Sequence, residues 1–267
     1  MFPKHILEKI DILLDRYIST DIDLNLEENY AFIFEENLKP IKNFVKVDLN
    51  DLIGIEDQKE KLLKNTQRFL KGKPANNVLL WGEKGTGKSS LIKGMLNLYY
   101  SQGLRMIQVL KHNILSIFDL FDFIEENQKY RFIIFIDDFS FNENEPQFKE
   151  LKTILDGGLY QIPKNLLFYA TSNRKNLIPI KFSDRDPDEK NIEENLQEKL
   201  SLAERFGLRI GFFKMSQTQY LQIVDYYAQK YNINTPKHIL HQLAIRFALD
   251  YGRNGRTAYQ FIKNLDY

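Results

Sequence analysis

The sequence predicts an α/β fold, a three-layer domain on a five-stranded parallel sheet, followed by a small all-α domain. Three observations predict it. Short apolar runs alternate with helical stretches from residue 78 onward. A glycine-rich segment of phosphate-binding type separates the first run from the helix that follows. Strand signals stop after residue 212, where helical patterns take over.

The runs are VLLWG, RMIQVL, FIIFID, LLFYAT and LRIGFF. Strands separated by helices return in the same direction, so the sheet is expected to be parallel. Phe132 to Ile136 is apolar without alternation, which predicts a central strand buried on both faces. Ligands of such sheets sit at the carboxyl ends of the strands. Upstream, Ile6, Leu7, Ile10, Leu13, Leu14 and Tyr17 recur at helical spacing. That amphipathic face either docks on the chain's own core or extends to a partner. Residues 183–199, dense in both charge signs and containing Pro187, read as a solvated loop or surface helix.

Beyond residue 212, helical patterns cover residues 217–230 and 256–265. Between them Thr235 followed by Pro236 reads as a helix start, a hydroxyl cap before a proline that needs no donor. That helix is expected to end near Gly252. The predicted organisation is a helical extension over 1–43, an α/β domain over 44–211 and a helical domain over 212–267.

With 43% apolar residues in 267, the composition is that of a globular chain and excludes a fibrous or wholly disordered one. A net charge of +1 supplies no global field to recruit nucleic acid or an anionic membrane, so neither partner is indicated. The absence of cysteine excludes disulfides, thiolate nucleophiles and cysteine-based zinc sites. The amino terminus breaks its apolar positions with charges, and no run reaches membrane-spanning length, so a soluble cytoplasmic protein is expected.

Gly82-Glu83-Lys84-Gly85-Thr86-Gly87-Lys88-Ser89 fits the pattern G-x-x-x-x-G-K-S, and Ser90 follows it. Glycines let the backbone curl so that successive amides face one anion, and the next helix adds about half a positive charge at its start. Lys88 can then reach the β- and γ-phosphates while the Ser89 hydroxyl ligates Mg²⁺. Asp137 and Asp138 emerge at the same end of the sheet from the strand FIIFI. Asp137 suits a hard cation. Asp138 stands where a glutamate often orients the attacking water, and is shorter by one methylene, about 1.5 Å of reach. Asn173, ending the strand LLFYAT, is a candidate to bond both the terminal phosphate and that water.

This order of motifs, continued by Glu204-Arg205-Phe206-Gly207 and Gly255-Arg256-Thr257, resembles the AAA+ ATPases. The segments LIGIEDQKEKLLKNTQRFLKGKPANNVLLWGEKGTGKSS, FIIFIDDFSF, LKTILDGGL, YATSNRKNL, EKLSLAERFGL and GRTAYQFI resemble, over residues 44–265, the bacterial domain-of-unknown-function family numbered eight hundred and fifteen. The resemblance implies a P-loop NTPase domain of AAA+ type with a helical lid, ATP and Mg²⁺ as cofactors, and ATP hydrolysis on an unspecified target. It implies that Arg205 enters a neighbouring subunit's site as a finger, hence a ring or head-to-tail homo-oligomer. Such a guanidinium contributes on the order of a thousandfold to the rate. Arg256 takes the lid's sensor position, with Arg253 second, and Leu52, Ile53 and Gly54 cover adenine. An aspartate pair also occurs in initiator-type AAA+ proteins, so a nucleotide-gated oligomerising switch of initiator or helicase-loader type, with little turnover, stands beside the ATPase reading. A small-molecule kinase is a third. His238 and His241, three apart on a helix, and the basic group Arg68, Lys71 and Lys73 read as surface.

Overall fold

The computed structural model describes residues 24–140, 154–155, 161–175, 177 and 202–265. The helix expected around Ile6 to Tyr17 and the charge-dense segment 183–199 lie outside them. In chain order the strands are β1 (Ala31–Phe34), β2 (Leu38–Pro40), β3 (Val78–Gly82), β4 (Leu104–Val109), β5 (Arg131–Ile136), β6 (Leu166–Ser172) and β7 (Leu208–Phe212). They form one sheet in the order β2-β1-β4-β5-β6-β3-β7. Every neighbouring pair is parallel except the hairpin β1–β2.

Among the described residues the sheet therefore has seven strands, not the expected five. The five apolar runs are β3 to β7, and the two additions come from the stretch read as a helical extension over 1–43. The run AFIF is four residues long, too short to show a period, and pairs with β4 far along the chain. Three-residue β2 closes the edge, and its Pro40 is the kind of residue an edge tolerates because it cannot donate to a ladder.

The helices are α1 (Glu56–Leu70), α2 (Lys88–Tyr99), α3 (Phe121–Glu126), α4 (Gln217–Lys230), α5 (Lys237–Tyr251) and α6 (Gly255–Lys263). The central strand explains the layering. In β5, Phe132, Ile134 and Ile136 enter a core with Leu79, Phe168, Ile114 and Ile117. Ile133 and Phe135, on the opposite face, enter a second core with Leu80, Leu62, Leu91 and Met95, which brings in α1 and α2. Burial on both faces is why the run shows no alternation.

Helices α4 to α6 surround a third core of Tyr220, Ile223, Val224, Leu240, Ala244, Phe261 and Ile262. Ser216 opens α4 with a capping box, its hydroxyl accepting from the Gln219 amide while the Gln219 side chain accepts from the Ser216 amide. The Thr235 cap does not form. Pro236, in an extended conformation at ψ 136, is itself the residue before α5 and has no side chain to cap with. Gly252 ends α5 as expected. No helix among the described residues is long and apolar enough to cross a membrane.

Candidate nucleotide site

The loop between β3 and α2 is shaped by close approaches. A Cβ on Gly82 would lie 1.9 Å from the Phe212 carbonyl oxygen, so only glycine lets β3 leave the sheet there. Gly85 and Gly87 have φ of 72° and 98°, which curls the loop back over the start of α2. The Thr86 hydroxyl closes the curl by donating to the Glu83 carbonyl at 2.7 Å. No side chain caps α2, so its first amides face the concavity, an arrangement that receives anions. Lys88 Nζ donates to the carbonyls of Gly82 at 2.8 Å and Glu83 at 2.6 Å, and to Asn173 Oδ1 at 3.4 Å. Burial pushes the Lys88 ammonium below its ordinary range, opposed by the charges of Asp138, Glu83 and Asp137 and reinforced by that of Arg256.

The acidic pair reaches the same place from two strands away. β6 lies between β3 and β5, which are thus about 9–10 Å apart. Side chains span that gap. Ser89 Oγ donates to Asp137 Oδ1 at 2.5 Å, which brings together two hard oxygens of the kind that could hold Mg²⁺. Asp137 Oδ1 also accepts from the Thr171 hydroxyl at 2.6 Å and from the Asp138 amide at 3.2 Å. Asp138, at φ 50, places its carboxylate against Asn173 Nδ2 at 2.5 Å. Lys88, Ser89, Asp137, Asp138 and Asn173 are one connected group.

Other expected residues surround it. Glu83 and Lys84 are exposed on the loop, and Ser90 is half-buried in the first turn of α2. Leu52 lies against the loop, 3.7 Å from where a Gly87 Cβ would be, whereas neighbouring Ile53 packs on the helical core. Gly54 turns the chain at φ 81 immediately after them. Arg256 stands at the start of α6 with its amide donating to the Gly85 carbonyl at 3.2 Å, and Arg253 is half-buried just before it. Arg205 is elsewhere. It is exposed and precedes the amino-terminal end of β7, roughly 15 Å of strand from the phosphate loop. His241 pairs with Asp225 at 2.6 Å, joining α5 to α4, and no metal-type cluster of three acidic or histidine side chains occurs among the described residues.

Residues 27–266 match the family described as "Protein of unknown function (DUF815)". The chain belongs to this family. No curated protein is significantly similar to the DUF815 chain. Among solved structures, an arginine-to-alanine variant of Thermotoga maritima RuvB is 16% identical over 81% of this chain and 63% of its own, with a TM-score of 0.53. A proline-to-glycine variant of the same protein is 16% identical over 82% and 65%, with a TM-score of 0.56. The DUF815 chain thus spans less than two thirds of these RuvB chains, and shares with them an AAA+-like P-loop NTPase fold.

Three groups in the DUF815 chain escaped the sequence reading. Thr171 bonds both acidic residues, and the available signal was its position two residues before Asn173, hence on the same side of β6. Asp51 accepts from the Tyr226 hydroxyl at 2.6 Å and from the Lys230 ammonium, tying the segment before Leu52 to α4. Burial raises the Asp51 carboxyl, but the bonds from Lys230 and Tyr226 and the ammonium charge outweigh it and hold the group below the usual aspartate range. Asn254 caps α6 through the Thr257 amide at 2.9 Å, and a Cβ on Gly85 would strike its Oδ1 at 2.4 Å.

Proposed function

We propose that this chain binds ATP with Mg²⁺ between the carboxyl end of the sheet and the helical lid α4 to α6, and hydrolyses it to rearrange lid and subunits on a protein target. The observation carrying the reading is the 2.5 Å contact of Ser89 with Asp137 beside Lys88, since two strands bring a hydroxyl, a carboxylate and an ammonium to one anion-receptive helix start. The curled backbone cradles the phosphates, and Lys88 leaves its own loop carbonyls for the β- and γ-oxygens. Ser89 and Asp137 would hold Mg²⁺, directly or through water, which neutralises phosphate charge when bound. Asp138 accepts a proton from the attacking water while Asn173 fixes both partners. Leu52, Ile53 and Gly54 form the apolar wall for adenine, and Arg256 reaches the terminal phosphate from the lid.

Arg205 acts across an interface. Its distance from its own loop supports a head-to-tail or ring homo-oligomer in which it serves the neighbouring site. ATP and ADP are the exchanging ligands. On this reading the protein works in the cytoplasm.

Calorimetric titration with MgATP, run beside phosphate release, tests the reading. Wild type should bind and turn over, and Lys88→Ala should lose at least tenfold in affinity, about 1.4 kcal/mol or more. Wild-type protein that takes up no MgATP would sink it. A second reading draws on the grip of Asn173 on the short Asp138 side chain. In it nucleotide sets the oligomeric state with little turnover. A size change with ATP, without phosphate release, selects that reading.

A further inference from the structure

We propose that Thr171 is the positioning residue of the acidic pair, its hydroxyl setting Asp137 for the metal ion and Asp138 for the attacking water. The inference rests on the nucleotide reading above. Thr171 is 2% exposed, so its hydrogen bonds compete little with solvent. Its hydroxyl donates to Asp137 Oδ1 at 2.6 Å and accepts from the Asp138 amide at 3.0 Å. Its carbonyl accepts from the Phe139 amide at 2.6 Å. One residue of β6 therefore holds three successive residues after β5.

The place of this grip matters. Regular pairing of β5 with β6 ends at Ile136 opposite Ala170, and Thr171 is the next residue, also paired with Leu80 of β3. It carries the register of the middle strand past the last rung, where β5 turns out of the sheet. Asp138 needs such support, because its φ of 50 is a left-handed conformation that a non-glycine residue keeps only when its surroundings fix it. Hydroxyl chemistry suits both bonds at once: one proton goes to a carboxylate and a lone pair to an amide. Cβ branching holds the rotamer. Without the hydroxyl, Asp137 loses the donor that aims it at Ser89.

Three proteins decide the matter: wild type, Thr171→Val, which keeps the shape and the backbone bond, and Thr171→Ser, which keeps the hydroxyl. A fluorescent ATP analogue is titrated in EDTA and across a Mg²⁺ series, and bound Mn²⁺ is counted by electron paramagnetic resonance with a non-hydrolysable analogue. The valine protein should need about tenfold more divalent cation for half-saturation, as loss of a group orienting a metal ligand typically demands. Its nucleotide affinity in EDTA should stay within about twofold of wild type, and serine should restore most of the cation affinity. A valine protein with wild-type cation dependence overturns the proposal. So does equal impairment of both variants together with weakened binding in EDTA, which marks a packing role. Wild-type protein that binds no nucleotide overturns this inference and the nucleotide reading together, whereas binding by wild type with an unaffected valine variant overturns this one alone.

Discussion

The carboxyl end of the sheet and helices α4 to α6, the lid of the proposed function, are built in opposite ways. At the sheet end, Lys88, Ser89, Asp137, Asp138, Thr171 and Asn173 are cross-bonded between three adjacent strands, over apolar cores on both faces. Helices α4 to α6 have their own core and meet the sheet domain through Ile53, through the bond of Arg256 to Gly85 and through the bonds of Asp51 to Tyr226 and Lys230 of α4. Under the proposed function this contrast is expected: a site that holds charges within fractions of an ångström is overdetermined, and a unit that changes angle is tethered at few points. The difference predicts that damage to the sheet unfolds the site, while damage to the tethers changes the lid and leaves the site in place.

The largest effect should come from the sheet. Phe132 is fully buried in the central strand, so Phe132→Ala should cost about 3–5 kcal/mol in denaturant unfolding through lost transfer energy and the cavity left behind. Nucleotide binding should fall with the folded fraction. If Phe132→Ala instead left binding intact while only the lid melted, the assignment of rigidity to the sheet would be wrong.

A smaller effect should follow from cutting a tether. Asp51→Ala removes the acceptor of Tyr226 and Lys230, worth about 1 kcal/mol at a pair that is partly exposed. Amide exchange should quicken in α4 and around residues 49–54, with the amides of β5 and β6 unchanged. If Leu52 to Gly54 form the proposed adenine wall, ATP affinity should weaken about threefold, which corresponds to roughly 0.65 kcal/mol, because that wall loses its anchor. Equal quickening in β5 would show lid and sheet to be one cooperative body.

What the sequence disclosed divides along a related line. The glycine loop after β3, the strand FIIFI with its two aspartates, and α4 were legible because each is a local pattern: glycine spacing, an unbroken apolar run, a helical period. β1 was not, since AFIF becomes a strand only through its register with β4. Thr171 looked like any strand threonine, and its meaning lies in the neighbouring strand that ends beside it. Asp51 and Tyr226 are 175 positions apart, and nothing in either segment announces the other. Local rules recovered the glycine loop and the acidic strand end; the groups that aim and tether them depend on register and tertiary contact.

The smallest expected effect is a pH dependence of the tether. The carboxyl of Asp51 is held below its ordinary value in the fold, so its contribution to stability is present above the unfolded aspartate pKa and lost as pH falls through the lower folded value. The tether should therefore be intact at neutral pH and loosen only in the acid range, below about pH 4. Asp225, held low on α4 by Lys237 and His241 against the opposing effect of burial, titrates in the same direction but joins α4 to α5 inside the lid. The two are separable. Asp51→Asn cannot ionise, so it should remove the acid-dependent quickening of exchange around residues 49–54 while α5 keeps its own. An Asp51→Asn protein whose exchange there still rises on acidification, in step with wild type, would assign the tether's pH response to another group and leave Asp51 as a hydrogen-bond acceptor whose charge the tether does not need.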